Sequence, residues 1–398
     1  MKIKDNVVIL GMGCSKFGER WDASISDLII ESTTEALEDS KVPIEAIEAI
    51  YYGNGMENNI AATAVADTLK VQDIPIVRNE NYCTSGHIAL IEAIQDVASG
   101  RHKVVMALGA EKLKDTGYPG LGVGRGQSPV LEARRTAPGS FALIGTRYFH
   151  QYGLTHQEGR ETIGKIAVKN HKNGTLSKRA HFQSEVSLEK VLNAPIIADP
   201  LGLYDCAGNS DGSACAIITT EEVAKTIKDK FAYVKGFAVS TDAVFPHNRP
   251  GFSWTSFNSL KKSSSEAYKM AGITNPREEL DLAEVHDCFS ITEMLIYEDF
   301  GFSEPGKAKI DIDNGFFELD GGLPVNSDGG LKSFGHPVGA SGIRMTYEVY
   351  KQILHEVDNP KRQLGKANLG LSHTFGGPPQ MSAVLILGNE KDNLGGNE

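Results

Sequence analysis

The 398-residue sequence lacks long apolar runs and an excess of basic residues. No apolar run approaches the roughly 20 residues that cross a bilayer, and the apolar start has no small-residue cleavage site of a signal peptide. The net charge of −11 argues against general nucleic-acid binding, because that function needs a basic face to neutralise phosphates. We therefore predict a cytoplasmic protein that binds neither membranes nor nucleic acids.

Cysteine is also scarce, and no two cysteines have CxxC spacing. The five cysteines are Cys14, Cys83, Cys206, Cys215 and Cys288. Their odd number and wide spacing argue against a disulfide framework and against a structural zinc site built from cysteine alone. Most are expected to be small buried apolar residues, so a reactive cysteine must be identified from its neighbours.

Apolar strands and amphipathic helices alternate along the first hundred residues. The predicted strands are Val7–Gly11, Ile47–Tyr52, Ile74–Arg78 and Val104–Leu108, and the predicted helices are Ser24–Ser40, Ala61–Leu69 and Ser85–Ala98. Strands separated by helices favour an α/β fold with a parallel sheet between helices. The chain is too long for one ordinary core, which suggests two such units.

The last third of the chain repeats the order of the first. It carries a helix at Ser264–Ala271, a strand at Asp281–Val285, a helix opened by Gly335–Gly342, and a final strand at Ala383–Leu387, which we match to Val104–Leu108. A duplicated pair of α/β halves, residues 1–225 and 226–398, accounts for this order. Matching loops of the two halves would meet at the centre of the molecule.

The middle of the chain, about residues 112–210, breaks the alternation. It contains a glycine-rich run at Gly120–Gly126 and a helical stretch at Glu161–Asn173. A long insertion after a strand is typical of a lid over a site. Basic residues outnumber acids in part of it: Arg160, Lys165, Lys169, Lys172, Lys178 and Arg179. This pattern predicts a positive patch for phosphates, and a solvated helix face explains it equally well.

Cys83 lies in the segment Asn81–Gly86, between a buried strand and a predicted helix start. Unpaired backbone N–H groups and the positive end of the helix dipole surround such a position. Both favour thiolate over thiol and predict a nucleophile, and the same N–H groups offer an oxyanion site. Alternatively, Cys83 is a small core residue at a tight turn.

A second set of reactive side chains, His286-Asp287-Cys288-Phe289, follows the strand at Asp281–Val285. Open α/β sheets bind ligands at the carboxyl ends of their strands. A histidine there can stabilise an oxyanion, and a second cysteine can transfer a proton. Alternatively, His286 caps the next helix and Cys288 packs in the core.

Two glycine-containing segments complete the candidate site. In the segment Gly335-His336-Pro337, the glycine permits close approach of another backbone, and the proline restricts the backbone conformation of His336. We expect His336 to take the proton of Cys83. The stretch His373–Pro379 precedes the last strand and offers backbone N–H groups to an oxyanion. A surface hairpin is the alternative for that stretch.

Together, these blocks resemble the thiolase superfamily over essentially the whole chain. Cys83-Thr84-Ser85 matches the family's CxS nucleophile motif, and residues 335–337 match its GHP motif. The HDCF sequence at residues 286–289 resembles the sterol-carrier-protein-type branch, with its archaeal and bacterial relatives. The family's second cysteine, in a CxG motif, is absent, because Thr374-Phe375-Gly376 stands there; in the HDCF branch its proton-transfer role falls to the cysteine that is Cys288 here.

The resemblance implies a layered α-β-α-β-α sandwich. It also implies an acyltransferase that cleaves a 3-ketoacyl-CoA, or condenses two acyl-CoAs, through a thioester. The implied catalytic residues are Cys83, His286, Cys288 and His336, with the oxyanion held by N–H groups of Cys83 and Gly376. Coenzyme A is a substrate, and no metal or redox cofactor is implied. A homodimer is implied as well, and several relatives work with a small zinc-ribbon and OB-fold partner.

The substrate is less closely defined. The loop that starts at Phe375 is bulkier than the family's version, which suggests an aromatic or branched acyl group rather than plain acetoacetyl-CoA. Lys172, Lys178 and Arg179 are the candidate contacts for the phosphates of coenzyme A. Two other functions compete: a decarboxylating condensing enzyme, which Cys288 beside His286 disfavours, and a silent subunit that binds acyl-CoA without turning it over.

Overall fold

The structure is a computed structural model that describes residues 3–55, 62–115, 136–243 and 250–392. Its strands are β1 Val7–Cys14, β2 Ala49–Gly53, β3 Ile76–Asn79, β4 Val104–Glu111, β5 Ile196–Ala198, β6 Leu201–Gly202, β7 Gly212–Thr220, β8 Ala232–Thr241, β9 Leu282–Glu284, β10 Leu369–Gly376 and β11 Met381–Gly388. Its helices are α1 Ile25–Ser40, α2 Ala62–Leu69, α3 Ser85–Ser99, α4 Ala137–Gln151, α5 His156–Gly174, α6 Leu188–Leu192, α7 Glu221–Ala224, α8 Asn258–Ala271, α9 Pro276–Glu279, α10 Ser290–Asp299, α11 Ala308–Asp313, α12 Gly330–Ser333 and α13 Ser341–Ile353.

Nine strands form one continuous sheet in the order β3-β2-β4-β7-β1-β8-β11-β10-β9. The first five come from the first half of the chain and the last four from the second. The halves join where Val8 pairs with Tyr233 and Ile9 with Ala232. The sheet is mixed, so the prediction of a parallel sheet is wrong: β2 is parallel to β3 and β4, and β9 to β10, but the other pairs are antiparallel.

The helices cover and separate the strands in the predicted five layers. Helix α1 packs on β1 and β7, whereas α8 packs on β8 and β11. Helices α3 and α13 contact each other and lie between the two groups of strands, since each contacts strands of both halves. This arrangement confirms the α-β-α-β-α sandwich. Among the helices of the described ranges, none has both the length and the apolar character to cross a membrane.

The two halves have corresponding strand orders. Strands β1, β7, β4 and β2 follow one another in the first half, as β8, β11, β10 and β9 do in the second. The final strand therefore corresponds to β7, and the predicted match of Ala383–Leu387 to Val104–Leu108 is wrong. The strand equivalent to β4 is β10, which includes the stretch from His373 to Gly376 that the sequence analysis placed in a loop.

Glycines allow the two central helices to start side by side. A Cβ atom on Gly86 would lie 2.5 Å from the carbonyl oxygen of Gly339, and one on Gly342 would lie 2.6 Å from the backbone nitrogen of His87. No larger residue fits at such distances without moving backbone. The N-terminal ends of α3 and α13, and hence the segments of Cys83 and His336, meet at the centre.

The middle segment packs on the second half of the chain. Helix α5 contacts α10, α11 and α12, and buried Lys169 forms an ion pair with Glu293 at 2.7 Å. The glycine-rich run at Gly120–Gly126 lies outside the described residues. That this segment acts as a lid stays a prediction.

Candidate active site

Cys83 lies on a tight turn directly before α3, as predicted. Tyr82 has a φ of +52°, a left-handed conformation that non-glycine residues seldom adopt. Ser85 fixes the turn, because its Oγ donates to the carbonyl of Tyr82 at 2.6 Å and accepts from the N–H of Asn81 at 2.9 Å. The turn presents Cys83, which stays partly exposed, at the start of the helix.

The structure brings Cys83 together with two of the predicted histidines. Sγ of Cys83 and one ring nitrogen each of His286 and His336 all lie within 4.8 Å of one another. The two imidazole rings meet edge to face, with their centroids 5.1 Å apart. Three distant segments therefore converge on one point: the start of α3, the end of β9 and the turn before α13.

Hydrogen bonds assign opposite tautomers to the two histidines. Ser341 Oγ donates its hydrogen to the carbonyl of Pro337 at 2.8 Å, so it accepts from Nδ1–H of His336 at 2.7 Å. Nε2 of His336 therefore carries a lone pair. Phe375 N–H donates to Nδ1 of His286 at 3.4 Å, which leaves the proton of His286 on Nε2. Neither Nε2 has a hydrogen-bond partner among the described residues.

A lone pair and an N–H group thus lie beside one thiol. The lone pair of His336 can accept the thiol proton, and the N–H of His286 can donate to a developing oxyanion. Once His336 has taken a proton, both rings can donate to the same oxygen. The geometry therefore suits a cysteine nucleophile that adds to a carbonyl carbon.

The resting site is neutral. Burial raises the pKa of the Cys83 thiol to about 12, and the Glu111 carboxylate adds to the rise. Burial also lowers the pKa of His336 to about 3, helped by the charge of Arg344. Burial therefore opposes the thiolate that the helix start was predicted to favour, and that effect of the helix start stays a prediction.

Glu111, which the sequence analysis missed, holds the segments around the nucleophile together. Its buried carboxylate accepts from the N–H groups of Gly55 and Gly339, both at 2.9 Å, and from Asn54 Nδ2 at 3.0 Å. It therefore links the ends of β2 and β4 to the turn that carries His336. The sequence feature that could have identified Glu111 is its position as an acid at the end of the apolar strand β4.

Cys288 and Asp287, the two residues after His286 in the HDCF segment, have different surroundings. Cys288 is buried, and its pKa is raised by burial and then by Cys83. Asp287 is not one of the residues whose side chains converge with the Cys83 thiol. Its carboxylate accepts from the N–H groups of Leu331 at 2.5 Å and Lys332 at 3.0 Å, so it anchors the chain that leads to His336.

The end of β10 touches the nucleophile turn. A Cβ atom on Gly376 would lie 2.9 Å from Cβ of Tyr82, so the predicted oxyanion glycine is adjacent to Cys83. The role of its N–H group stays a prediction. Phe375 is 2% exposed and packs on His286 and Phe141, at centroid distances of 4.0 Å and 5.7 Å. Its side chain thus supports the histidine, and its substrate role also stays a prediction.

We expect Gly376→Ala to lower kcat/KM for the implied acyl-transfer reaction by about 10- to 100-fold, since a shift of about 1 Å in a reacting group can have that effect. The new methyl group must displace Tyr82 and with it the Cys83 turn. Gly365→Ala is the matched control, because a Cβ atom there meets nothing within 4 Å. Equal kinetics of the two variants would show that the contact with Tyr82 does not position the nucleophile.

The predicted positive patch is largely neutralised by acids from elsewhere in the chain. The ion pairs are Lys165 with Asp313, Lys169 with Glu293, Lys172 with Glu318, and Arg179 with Glu35. Lys178 is exposed. The patch is therefore not the free positive surface that the local sequence suggested. Phosphate binding by Lys172, Lys178 and Arg179 stays a prediction.

A layered α/β sandwich that joins a cysteine of one half to two histidines of the other is the arrangement of a covalent acyl-transfer enzyme. Family models support this class: a thiolase N-terminal domain matches residues 7–222, and a thiolase C-terminal domain-like region matches residues 247–389. The chain therefore belongs to the thiolase family, whose members are acyltransferases.

Individual proteins agree with this family. Acetyl-CoA acetyltransferase of Methanothermobacter thermautotrophicus is 36% identical over 388 residues, which cover 96% of this chain and 99% of that protein. Sterol carrier protein 2 of Oryctolagus cuniculus is 31% identical, over 93% of this chain and 70% of its own length. Among solved structures, the Ltp2–ChsH2(DUF35) aldolase has a TM-score of 0.85 at 22% identity and covers 99% of this chain and all of the matched one.

Proposed function

We propose that the protein is a thiolase that forms an acyl thioester on Cys83. It cleaves a 3-ketoacyl-CoA with coenzyme A, or runs the reverse condensation of two acyl-CoAs. The observation that carries this proposal is that the Cys83 thiol and one ring nitrogen each of His286 and His336 lie within 4.8 Å of one another. The hydrogen bonds of the two rings leave a lone pair on Nε2 of His336 and a proton on Nε2 of His286. The family membership of the whole chain supports it.

Cleavage begins when the Cys83 sulfur attacks the 3-keto carbon while Nε2 of His336 takes the thiol proton. N–H groups of Cys83 and Gly376 are the proposed donors to the resulting oxyanion. The bond between C2 and C3 then breaks and leaves an acyl group on Cys83 and an enolate of the shorter acyl-CoA. The enolate oxygen accepts hydrogen bonds from His286 and protonated His336, and Cys288 gives its proton to C2.

The second half-reaction restores every proton. The Cys288 thiolate first takes the proton that His336 holds. The thiol of free coenzyme A then gives its proton to Nε2 of His336 and attacks the thioester. The Cys83 sulfur leaves and takes back the proton that His336 holds. Two acyl-CoA molecules have formed, and no proton has been lost to solvent. Condensation follows the same steps in reverse, with Cys288 as the base that removes the α-proton.

The acyl group is the open part of the proposal. The similarity to acetyl-CoA acetyltransferase supports acetoacetyl-CoA as substrate. The bulk of the Phe375 segment is the basis for a larger aromatic or branched group; Phe375 packs on Phe141, which in turn stacks on Phe289. Rates of CoA-dependent cleavage of acetoacetyl-CoA, a branched and an aromatic 3-ketoacyl-CoA distinguish these substrates. Cleavage of none of them would contradict the proposed activity.

We also propose two protein contacts. Strand β3 is a terminal strand of the sheet, and Val77 on it is 43% exposed, which suits pairing with a second copy of the chain. A small zinc-ribbon and OB-fold partner is proposed because the similar aldolase structure is a complex with a DUF35 protein. The mass of the purified protein in solution tests the first contact, and activity with and without the partner tests the second.

Cys288→Ala is expected to separate the two half-reactions. Acylation of Cys83 by acetyl-CoA continues, because His336 performs that proton transfer. Cleavage of a 3-ketoacyl-CoA falls by about 10²- to 10⁴-fold, the usual contribution of a positioned acid or base. Steady-state cleavage and the mass of the acylated protein measure the two steps. Cys215→Ala, in the core of β7, serves as the control; loss of acylation in Cys288→Ala would contradict this division of roles.

A further inference from the structure

Lys332 is a buried cation that the mechanism above does not use. Its side chain is 1% exposed, and its Nζ has no hydrogen-bond partner among the described residues. Removing an ammonium group from water without a partner opposes folding. No hydrogen bond among the described residues offsets that effect.

Three segments bring Lys332 beside the HDCF cysteine. The carboxylate of Asp287 holds the start of α12, accepting from the N–H groups of Leu331 and Lys332 at 2.5 Å and 3.0 Å. The carbonyl of Cys288 accepts from the N–H of Ala207 at 2.9 Å. The segment that includes Asp205 and Cys206 is thereby held against the same point.

The groups around the ammonium are acids and thiols. The anionic forms of Cys206, Asp205, Asp287 and Cys288 favour the charged form of Lys332 and raise its pKa. The charge of Lys332 in turn contributes to the lowered pKa of His171 on α5. Burial lowers the pKa of Lys332, and these four groups oppose that change. These acidic groups would repel a carboxylate ligand. The ammonium of Lys332 is instead positioned to compensate an additional negative charge that forms among them.

Cleavage and condensation both create that anion. When Cys288 is a thiolate, it lies next to the carboxylate of Asp287 in a buried pocket, where like charges repel strongly. Burial, Cys83 and Asp287 all raise the pKa of Cys288, whereas Lys332 lowers it. A fixed positive charge that is already desolvated stabilises the thiolate without the rearrangement that solvent would need.

We propose that Lys332 is a positioning residue that stabilises the Cys288 thiolate while the α-proton moves between Cys288 and the substrate carbon. The proposal rests on the proposed thiolase function. Lys332 touches no reacting atom and forms no bond; its ammonium acts on the reaction only through the charge of Cys288.

The test compares Lys332→Met, which keeps the length of the side chain, with Lys332→Arg, which keeps the charge. Exchange of the α-protons of acetyl-CoA for deuterium reports on Cys288, and acylation of Cys83 reports on the first half-reaction. In Lys332→Met we expect exchange to fall by about 10- to 100-fold and its pH dependence to move up by about one to two units, the usual effect of one nearby charge. Acylation stays within about twofold, and Lys332→Arg recovers most of the exchange.

The outcomes separate this proposal from the one on which it rests. An unchanged exchange rate and pH profile in Lys332→Met would overturn the role of Lys332 while leaving the thiolase function intact. Equal losses of exchange and acylation, together with a lower melting temperature, would also overturn it, since they indicate a structural role. Wild-type protein that neither acylates Cys83 nor exchanges protons would overturn both proposals.

Discussion

Cys83→Ala is expected to reduce cleavage of a 3-ketoacyl-CoA to the background rate, a loss of about 10⁵-fold or more, as for other enzymes that lose their nucleophile. Every step of the proposed reaction passes through the Cys83 sulfur. His286 and His336 cannot replace it, because neither of them carries the acyl group in the proposed reaction. Steady-state cleavage and condensation with the preferred acyl-CoA measure the effect.

The control for Cys83→Ala is Cys215→Ala. Cys215 is fully buried in β7 within a hydrophobic core, so the variant removes a thiol without touching the site. It should keep its activity apart from a modest loss of stability. Substantial cleavage by Cys83→Ala would show that another group carries the acyl chain or that the reaction has no covalent intermediate.

The second large effect is on stability. Arg344→Met should lower the free energy of unfolding by about 3–5 kcal/mol, the usual result of removing one partner of a buried ion pair. Arg344 is fully buried, with Nη1 2.7 Å from Asp328 Oδ2 and 3.1 Å from Glu284 Oε2. Without the guanidinium, two buried carboxylates face each other with no cation between them. Thermal and denaturant unfolding measure the loss.

The loss should depend on pH in a defined direction. Burial and the neighbouring Asp328 already raise the pKa of Glu284 well above its usual value, and removal of Arg344 raises it further. A group with a raised pKa in the folded state favours folding at low pH, and this contribution disappears as pH rises through that pKa. The deficit of Arg344→Met is therefore expected to be smaller near pH 5 than near pH 8.

An exposed pair provides the comparison. Lys262 and Glu266 form an ion pair at 2.7 Å with side chains 66% and 46% exposed. Lys262→Met should change stability by less than about 0.5 kcal/mol, because water screens such pairs. If Arg344→Met were as mild as Lys262→Met, or if its deficit grew at low pH, the buried pair would not have the role described here.

The sequence predicted that Cys83, His286 and His336 belong to one site, and the structure brings them together, because local signals mark their segments. Cys83 and His336 each lie in a turn before a helix, and residues 286–289 follow a strand, so the strand–turn–helix pattern locates all three segments. Their convergence followed from the duplicated order of the two halves. The proposed role of each residue came from the resemblance to thiolases, because the strand–turn–helix pattern is compatible with structural roles as well.

Strand β10 was missed because its residues are polar. Thr374 and His373 are fully buried, yet their polarity is typical of a loop. They are tolerated because other elements supply partners: His87 Nδ1 lies 2.7 Å from Oγ1 of Thr374, and Ser382 Oγ lies 3.1 Å from Nε2 of His373. His87 lies far away in sequence, and Ser382 becomes a partner only when β11 pairs with β10, so the residues around β10 do not identify either contact.

The predicted positive patch was also misjudged because the partners of its charges come from other parts of the fold. The basic residues of α5 have few acids nearby in sequence, but Asp313 and Glu318 reach them from the second half. Glu111 and Lys332 were overlooked as isolated charges whose significance depends on the pocket around them. The state of Cys83 depends on burial, which only the assembled sandwich determines.

The central claim is that Cys83 carries the acyl group, and the mass of the acylated protein tests it most directly. The wild-type protein is incubated with acetyl-, succinyl-, benzoyl- and a branched acyl-CoA, with any co-purified partner present, quenched in acid and mapped by peptide mass. We predict a single acyl group on Cys83 that free coenzyme A removes. An adduct on another residue, or none with any of the four, would contradict the account, and the latter result would favour a silent acyl-CoA-binding subunit.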